Sequence, residues 1–146
     1  MLGISLDSQA FRDHLDRIHP PDQRFPCSTK TFPGTLFHNY TTLGISYSFD
    51  EKQTGGDLVL AAIHLYNDGI SGYSRYALED VFPLPYGLRM DLTGQEIVAL
   101  LDEPTSKEKY PKCCVVYDNL GIQIDLAAKD WEDPNCKIEC FTVYST

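Results

Sequence analysis

Cysteine and histidine are the residue types in this chain that could supply nucleophilic chemistry. Cys113 and Cys114 are adjacent, and a thiol paired with an imidazole base is a common catalytic nucleophile. His38 and His64 are candidate partners, because both fall in or near predicted strands. No sequence motif typical of a cysteine enzyme surrounds these residues. The simpler interpretation of His64 is a half-buried histidine in a sheet.

A metal site is the second chemistry that the cysteines could support. Four of them lie in the second half of the chain: Cys113, Cys114, Cys136 and Cys140. Adjacent residues of a strand point to opposite faces, so Cys113 and Cys114 could hardly bind one ion. The acidic residues within 125–133 lack the spacing of a calcium loop, and no phosphate-binding glycine loop is present. We therefore predict no catalytic residue, no metal site and no cofactor.

Length and composition limit the class of protein. A chain of 146 residues with 42% hydrophobic residues can form one domain with a packed core. No apolar stretch reaches the length of a membrane span, and the first residues lack the features of a signal peptide. Five cysteines are an odd number, which suits a reducing compartment. We therefore expect a cytoplasmic protein that does not bind a membrane.

The net charge of −9 at pH 7 argues against binding to nucleic acid, which requires a basic surface. Acidic residues form small clusters, such as Asp50-Glu51 and Glu79-Asp80, where turns are expected. Solvated loops explain these clusters most simply. The alternative is an acidic surface that is complementary to a basic protein partner.

Two segments of the chain resemble each other: residues 39–49 (NYTTLGISYSF) and 116–126 (VYDNLGIQIDL). They align at an offset of 77 positions, which places Gly44 opposite Gly121. After each glycine, apolar and polar residues alternate, which predicts a strand with one buried face. Residues 63–67 and 141–145 are also similar, at an offset of 78. The pattern predicts an internal duplication.

A predicted helix precedes each of these segments. Ser8 and Thr93 are suited to cap a helix, and Glu96 completes a capping box with Thr93. Apolar residues after each cap recur at helical spacing, so each helix must pack on an apolar surface. Prolines at 20–21 and at 104 end the two helices.

We predict an α+β fold of two pseudo-repeats, each a helix packed on a three-stranded antiparallel sheet. The single domain spans 1–146 and consists of pseudo-repeat 2–67, linker 68–86 and pseudo-repeat 87–146. The predicted core residues of the strands are Ile45, Phe49, Ile122, Ile124 and Leu126. The helix residues expected to cover them are Phe11, Leu15, Ile97 and Leu101.

The helix cap, the sequence EIVALLDEP at 96–104 and the strands that follow resemble the small module of the SmpA/OmlA outer-membrane lipoproteins. The β-lactamase inhibitor proteins contain the same module twice. The resemblance implies the architecture and not the target, because the lipoprotein cysteine and the inhibitors' paired cysteines are missing. Residues 83–88 and 131–134 also resemble a family of small uncharacterised proteins, which implies no activity.

Aromatic and arginine residues suggest a binding function, because these residue types dominate protein–protein hot spots. The candidate binding residues are Tyr66, Tyr73, Arg75, Tyr76, Tyr86 and Trp131. The helices should cover one sheet face and leave the other, aromatic face exposed to a partner. We predict a protein-binding or inhibitory, immunity-like module without catalysis. The alternatives are a cysteine-dependent or hydrolytic enzyme and a small-ligand carrier that uses the cleft between the repeats.

Overall fold

A computed structural model of the chain describes residues 2–18, 26–53, 55–108, 112–127 and 136–145. The helices in this part of the chain are α1 (Gln9–Ile18) and α2 (Gly94–Leu101). The strands after α1 are β1 (Ser28–Phe32), β2 (Thr35–Tyr40), β3 (Ile45–Glu51) and β4 (Leu58–Tyr66). The strands after α2 are β5 (Ser106–Glu108), β6 (Cys114–Tyr117), β7 (Ile122–Leu126) and β8 (Ile138–Tyr144).

All the described strands form one antiparallel sheet in the order β1-β2-β3-β4-β8-β7-β6-β5. The predicted α+β class with antiparallel strands is confirmed. The predicted three-stranded sheets are not confirmed, because each helix is followed by four strands and both sets belong to one sheet. The strands β4 and β8 join the two sets, and Leu65 pairs with Phe141 at this junction. The polar edge strands β1 and β5 carry no apolar alternation, which is why the sequence pattern does not reveal them.

Both helices begin at the predicted capping residues. The Ser8 hydroxyl accepts a hydrogen bond from the Phe11 amide at 3.2 Å. The Thr93 hydroxyl accepts from the Glu96 amide at 3.3 Å, and the Glu96 carboxylate accepts from the Thr93 amide at 3.1 Å. These bonds satisfy amides of the first turn that have no partner inside the helix. The predicted caps are therefore confirmed.

The core lies between the helices and one face of the sheet. The Phe11 ring of α1 meets Tyr47 and Phe49 edge to face, with centroids 5.3 Å and 5.1 Å apart. The predicted core is confirmed, with Leu15 and Leu101 partly rather than fully buried. The fully or nearly fully buried members of that prediction are Phe11, Ile45, Phe49, Ile97, Ile122, Ile124 and Leu126.

The segment between β4 and α2 is part of the core on the helix side. Leu84 and Met90 are buried in it, and the Tyr76 hydroxyl donates to the Phe82 carbonyl oxygen at 2.8 Å. The Phe82 ring also contacts the imidazole of His14, with centroids 5.5 Å apart. This part of the segment therefore packs over the sheet beside α1.

The turns before β3 and β7 have the same geometry. Gly44 and Gly121 precede these strands with φ values of 69° and 67°, a conformation that side chains rarely adopt. The carbonyl oxygen of Gly44 accepts from the Tyr66 amide at 2.9 Å, and that of Gly121 accepts from the Tyr144 amide at 2.9 Å. The two similar sequence segments thus occupy corresponding positions, each next to the last strand of its set.

Candidate functional site

One face of the sheet is not packed against the helices, and we call it the open face. Because alternate residues of a strand point to opposite faces, the contacts of Tyr47 and Phe49 with Phe11 show which face is covered. Ser46 and Ser48 of β3 point to the open face. This face is the surface on which a partner or ligand could reach the sheet.

A row of cross-strand neighbours crosses the open face from one sheet edge to the other. Each member pairs with the next through the antiparallel register. In sheet order the row is Ser28, Asn39, Ser46, His64, Thr142, Gln123, Val116 and Ser106. All of these side chains except that of Val116 can form hydrogen bonds. Ser46 is buried, but the other polar members of the row are at least partly exposed. Because burying so many polar groups is unfavourable, the row suits a solvated or ligand-binding surface better than a second core.

The first groove on the open face lies over β1, β2 and β3 and has a volume of about 360 Å³. On one side of the polar row, the rings of Phe32 and Phe37 meet edge to face with centroids 5.8 Å apart. On the other side, the rings of Tyr66 and Tyr73 stack in parallel with centroids 3.9 Å apart. Ser46 lies between them and is only 1% exposed. We call this site the aromatic groove.

The chain after β4 brings Tyr73 into this groove. The Ser74 amide donates to the Thr41 carbonyl oxygen at 2.9 Å, and the Tyr76 amide donates to the Tyr66 carbonyl oxygen at 2.8 Å. These bonds fix the segment against the end of the sheet. Tyr73 lines this groove, whereas Tyr76 belongs to the core, so the two side chains lie on opposite sides of the sheet.

The second groove lies over β4, β8 and β7 and has a volume of about 340 Å³. His64 Nδ1 and Thr142 Oγ1 are 3.0 Å apart across the central strand pair. Gln123 Nε2 donates to Asp125 Oδ1 at 3.1 Å. Tyr66 lines both grooves, so the two adjoin along the polar row. We call this second site the polar groove.

Burial and one hydrogen bond shift the pKa values of groups in the polar groove. Desolvation lowers the pKa of His64, and the negative charge of Asp125 acts in the opposite direction. Burial is the main cause that raises the pKa of Cys140 to about 12, so its thiol stays protonated at neutral pH. The hydrogen bond to Glu139, at 2.9 Å, raises the pKa of Lys112. The groove therefore presents a neutral imidazole and a thiol beside charged groups.

The residues predicted to bind a partner do not form one surface. Tyr66 and Tyr73 line the aromatic groove, although Tyr73 is only 8% exposed and acts as a wall rather than as a protruding anchor. Arg75 is exposed, pairs with Glu79 at 3.1 Å and lies in a separate cleft of about 390 Å³. Trp131 lies outside the described residues.

The expectation that Tyr76 is an exposed anchor is wrong. Its side chain belongs to the core, where the residue is 5% exposed, because the segment after β4 turns it towards the helices. Tyr86 is exposed, and its hydroxyl donates to the Leu120 carbonyl oxygen at 3.2 Å. It therefore lies against the turn before β7 and is not among the residues that line either groove.

The cysteines and histidines considered for catalysis are not paired as that hypothesis requires. Cys113 lies in the core and Cys114 on the open face opposite Asp125, which confirms that the two point in opposite directions. His38 packs on the helix side against Phe49. Burial raises the pKa of Cys114, which disfavours the nucleophilic thiolate. Within the described ranges, no group of three or more His, Cys, Asp or Glu side chains could hold a metal ion.

Sequence reasoning missed most of the residues that line the grooves. Phe32 lies in the edge strand β1, which the sequence pattern does not reveal. In β2, Phe37 and Asn39 alternate with residues that are also largely apolar, so the pattern does not distinguish the two faces. Thr142 and Gln123 are ordinary polar residues of predicted strands. Their significance comes from being neighbours in the sheet, which no local pattern contains.

The pKa values of the strand histidines predict a loss of stability in mild acid. Burial lowers the pKa of both His38 and His64 below the value of 6.5 expected in the unfolded chain. As the pH falls below about 6.5, the unfolded state binds protons before the folded state does, so the free energy of unfolding decreases. Urea unfolding between pH 7.5 and pH 5 should show this decrease.

The variant His64→Gln provides the control for this experiment. Glutamine can still hydrogen-bond Thr142 but does not titrate, so its unfolding free energy should depend less on pH than that of the original protein. An unchanged pH dependence in the variant would show that the His64 imidazole is not held in its neutral form.

No helix in the described part of the chain is long and apolar enough to cross a membrane. Comparison of the chain with protein-family models, with curated proteins and with solved structures found no match.

Proposed function

We propose that the protein is a non-catalytic binding module that recognises a partner protein through the open face of its sheet. The observation that carries the proposal is the pair of adjoining grooves on this face, with aromatic side chains beside a polar row. The face combines Phe and Thr with Tyr, Ser and Asn, and the last three residue types are also enriched in antibody binding surfaces. Aromatic residues there supply contact area, and small polar residues supply adaptable hydrogen bonds.

An inhibitory, immunity-like role is the form of this function that we favour. Neither groove is an enclosed cavity, which suits the surface of another protein better than a metabolite. The net charge of −9 favours a basic partner, because opposite charges accelerate association. Acidic residues such as Glu51 and Asp80 are exposed, and none of the ion pairs in the described ranges involves them.

We also propose that the fold arose from two pseudo-repeats, each a helix with its following strands. Supporting this proposal are the caps at Ser8 and Thr93 and the matching turns at Gly44 and Gly121. The order of the sheet is consistent with two such units joined through β4 and β8. The resemblance to the doubled module of the β-lactamase inhibitor proteins remains part of this proposal, with four rather than three strands per unit.

A matched pair of variants tests whether the open face binds a partner. Phe32 on the open face is 53% exposed, and Leu100 on α2 is 50% exposed. Phe32→Ala should reduce retention of a partner from native lysate by at least about fivefold, because aromatic anchors dominate interfaces. Leu100→Ala should retain the same partner fully, and both variants should keep nearly the original melting temperature.

The comparison between the two variants decides the outcome of this experiment. Equal retention by Phe32→Ala and Leu100→Ala would contradict the proposal, and so would the absence of any partner that distinguishes them. Capture of a protein that both variants retain would be non-specific adsorption. A melting temperature lowered only in Phe32→Ala would instead assign the phenylalanine a structural role.

The alternative that the protein is a hydrolytic enzyme is supported by one contact. His64 Nδ1 and Thr142 Oγ1 lie 3.0 Å apart. Such a pair could activate the hydroxyl as a nucleophile. A cysteine-dependent enzyme is disfavoured, because the pKa of the Cys140 thiol is raised to about 12 and that of the Cys114 thiol is also raised.

The remaining alternative is a carrier of a small ligand. Such a carrier would bind its ligand in the polar groove, which lies where the two sets of strands join.

A further inference from the structure

We infer that the aromatic groove is an anchor pocket for one tyrosine side chain of the partner protein. This inference rests on the proposed function and names the group that the open face recognises. It depends on three properties of the groove: the rings on both sides of the polar row, the hydrogen-bonding groups between them, and the charge at the rim.

The walls of the groove suit a planar ring. Phe32 and Phe37 present an edge-to-face pair on one side, and the parallel pair of Tyr66 and Tyr73 lies on the other. Aromatic rings prefer edge-to-face or offset parallel contacts, and both geometries are available to a ring that enters between the walls. A volume of about 360 Å³ is sufficient for a single aromatic side chain.

The polar residues between the aromatic walls, which form the floor of the groove, favour a bound ring that carries a polar group. Ser46 donates a hydrogen bond to the Asn39 side-chain oxygen, and both residues line the groove. The described ranges show no hydrogen-bond partner for the Asn39 amide nitrogen. A phenylalanine that displaced water here would leave this amide unsatisfied, which is unfavourable. A phenol hydroxyl can both accept and donate a hydrogen bond, whereas an indole N–H can only donate. Tyrosine is therefore the best match.

The rim of the groove favours an aromatic ring over a basic side chain. Lys30 is the charged residue that lines the groove, and none of the ion pairs in the described ranges involves it. An ammonium group attracts the electron-rich face of an aromatic ring and repels Lys or Arg. The basic residues of the proposed partner would therefore lie outside this pocket, opposite the exposed acidic loops.

The inference can be tested by NMR titration with N-acetyl-tyrosinamide as the probe. We expect fast-exchange shifts of the Phe32, Phe37 and Ser46 resonances, with millimolar affinity. N-acetyl-phenylalaninamide should bind about fivefold more weakly, because it cannot pair with the floor. The variant Asn39→Leu should remove this difference, while Gln123→Leu in the polar groove should preserve it. Unchanged amide spectra elsewhere establish that each variant is folded.

Three results would overturn the inference. Equal affinity for the tyrosine and phenylalanine derivatives would show that the floor does not select a hydroxyl. Stronger binding of methyl glucoside than of N-acetyl-tyrosinamide would assign the groove to saccharides, and shifts confined to other surfaces would exclude a pocket here. If partner retention depends on Phe32 but the tyrosine probe does not bind, the proposed function stands and only the anchor is wrong.

Discussion

Replacing Gly44 with alanine should destabilise the protein by about 2–5 kcal/mol. The φ value of 69° at this residue is left-handed, which costs a side chain roughly 1–2 kcal/mol. A Cβ atom would also collide with the Ser74 carbonyl oxygen and lie 2.5 Å from the Tyr76 amide nitrogen. Such overlap with backbone adds about 1–3 kcal/mol, because the backbone cannot move aside as a flexible side chain can. The decrease in the free energy of unfolding can be measured by urea denaturation of the variant and the original protein.

The variant Gly34→Ala separates the two contributions. Gly34 has a φ of 80° in the turn between β1 and β2, and a Cβ atom there would meet nothing within 4 Å. We expect the free energy of unfolding of this variant to fall by about 1–2 kcal/mol, the cost of the left-handed backbone conformation alone. Equal losses in the two variants would show that the segment after β4 does not pack on Gly44. Because that segment carries Tyr73, Gly44→Ala should also weaken binding of N-acetyl-tyrosinamide in the aromatic groove.

Replacing Ile124 with alanine should cost about 2–5 kcal/mol of unfolding free energy. Ile124 is fully buried in β7, where it pairs with Val115 and Phe141 on the helix side of the sheet. The variant loses the burial of the removed methyl groups and leaves a cavity that closely packed neighbours cannot fill. Denaturant unfolding at neutral pH provides the measurement.

Val116 offers a matched control for this substitution. It belongs to the neighbouring strand β6 but points to the open face and is only partly buried. Val116→Ala should therefore cost about 1 kcal/mol or less. A loss below about 1 kcal/mol for Ile124→Ala, or similar losses for both variants, would contradict the assignment of the helix side as the core.

Local features of this fold were predictable from the sequence because they depend on residues close to one another in the chain. The hydroxyl of Thr93 and the carboxylate of Glu96 are three residues apart, which is the spacing a capping box requires. Alternation after Gly44 and Gly121 likewise identified β3 and β7 together with their buried faces. Neither inference needs to know which strands are neighbours.

The arrangement of strands could not be derived in the same way. The edge strands β1 and β5 are short, polar and exposed, so no burial imposes a pattern on their residues. They are stabilised by backbone hydrogen bonds to β2 and β6, and such bonds are almost independent of sequence. Backbone hydrogen bonds also pair β4 with β8, and this pairing produces one sheet where two were expected.

The candidate binding surface was decided by the tertiary structure alone. The chain by itself determined that Tyr66 and Tyr73 were suitable residues for an interface, but not that they stack beside Ser46 or face Phe37 across the polar row. It could not distinguish Tyr73 from Tyr76, because the side on which each ring lies depends on how the segment after β4 turns over the sheet. Alternation assigns a residue to a face, whereas only the strand order places His64 beside Thr142 and so assembles a site from distant parts of the chain.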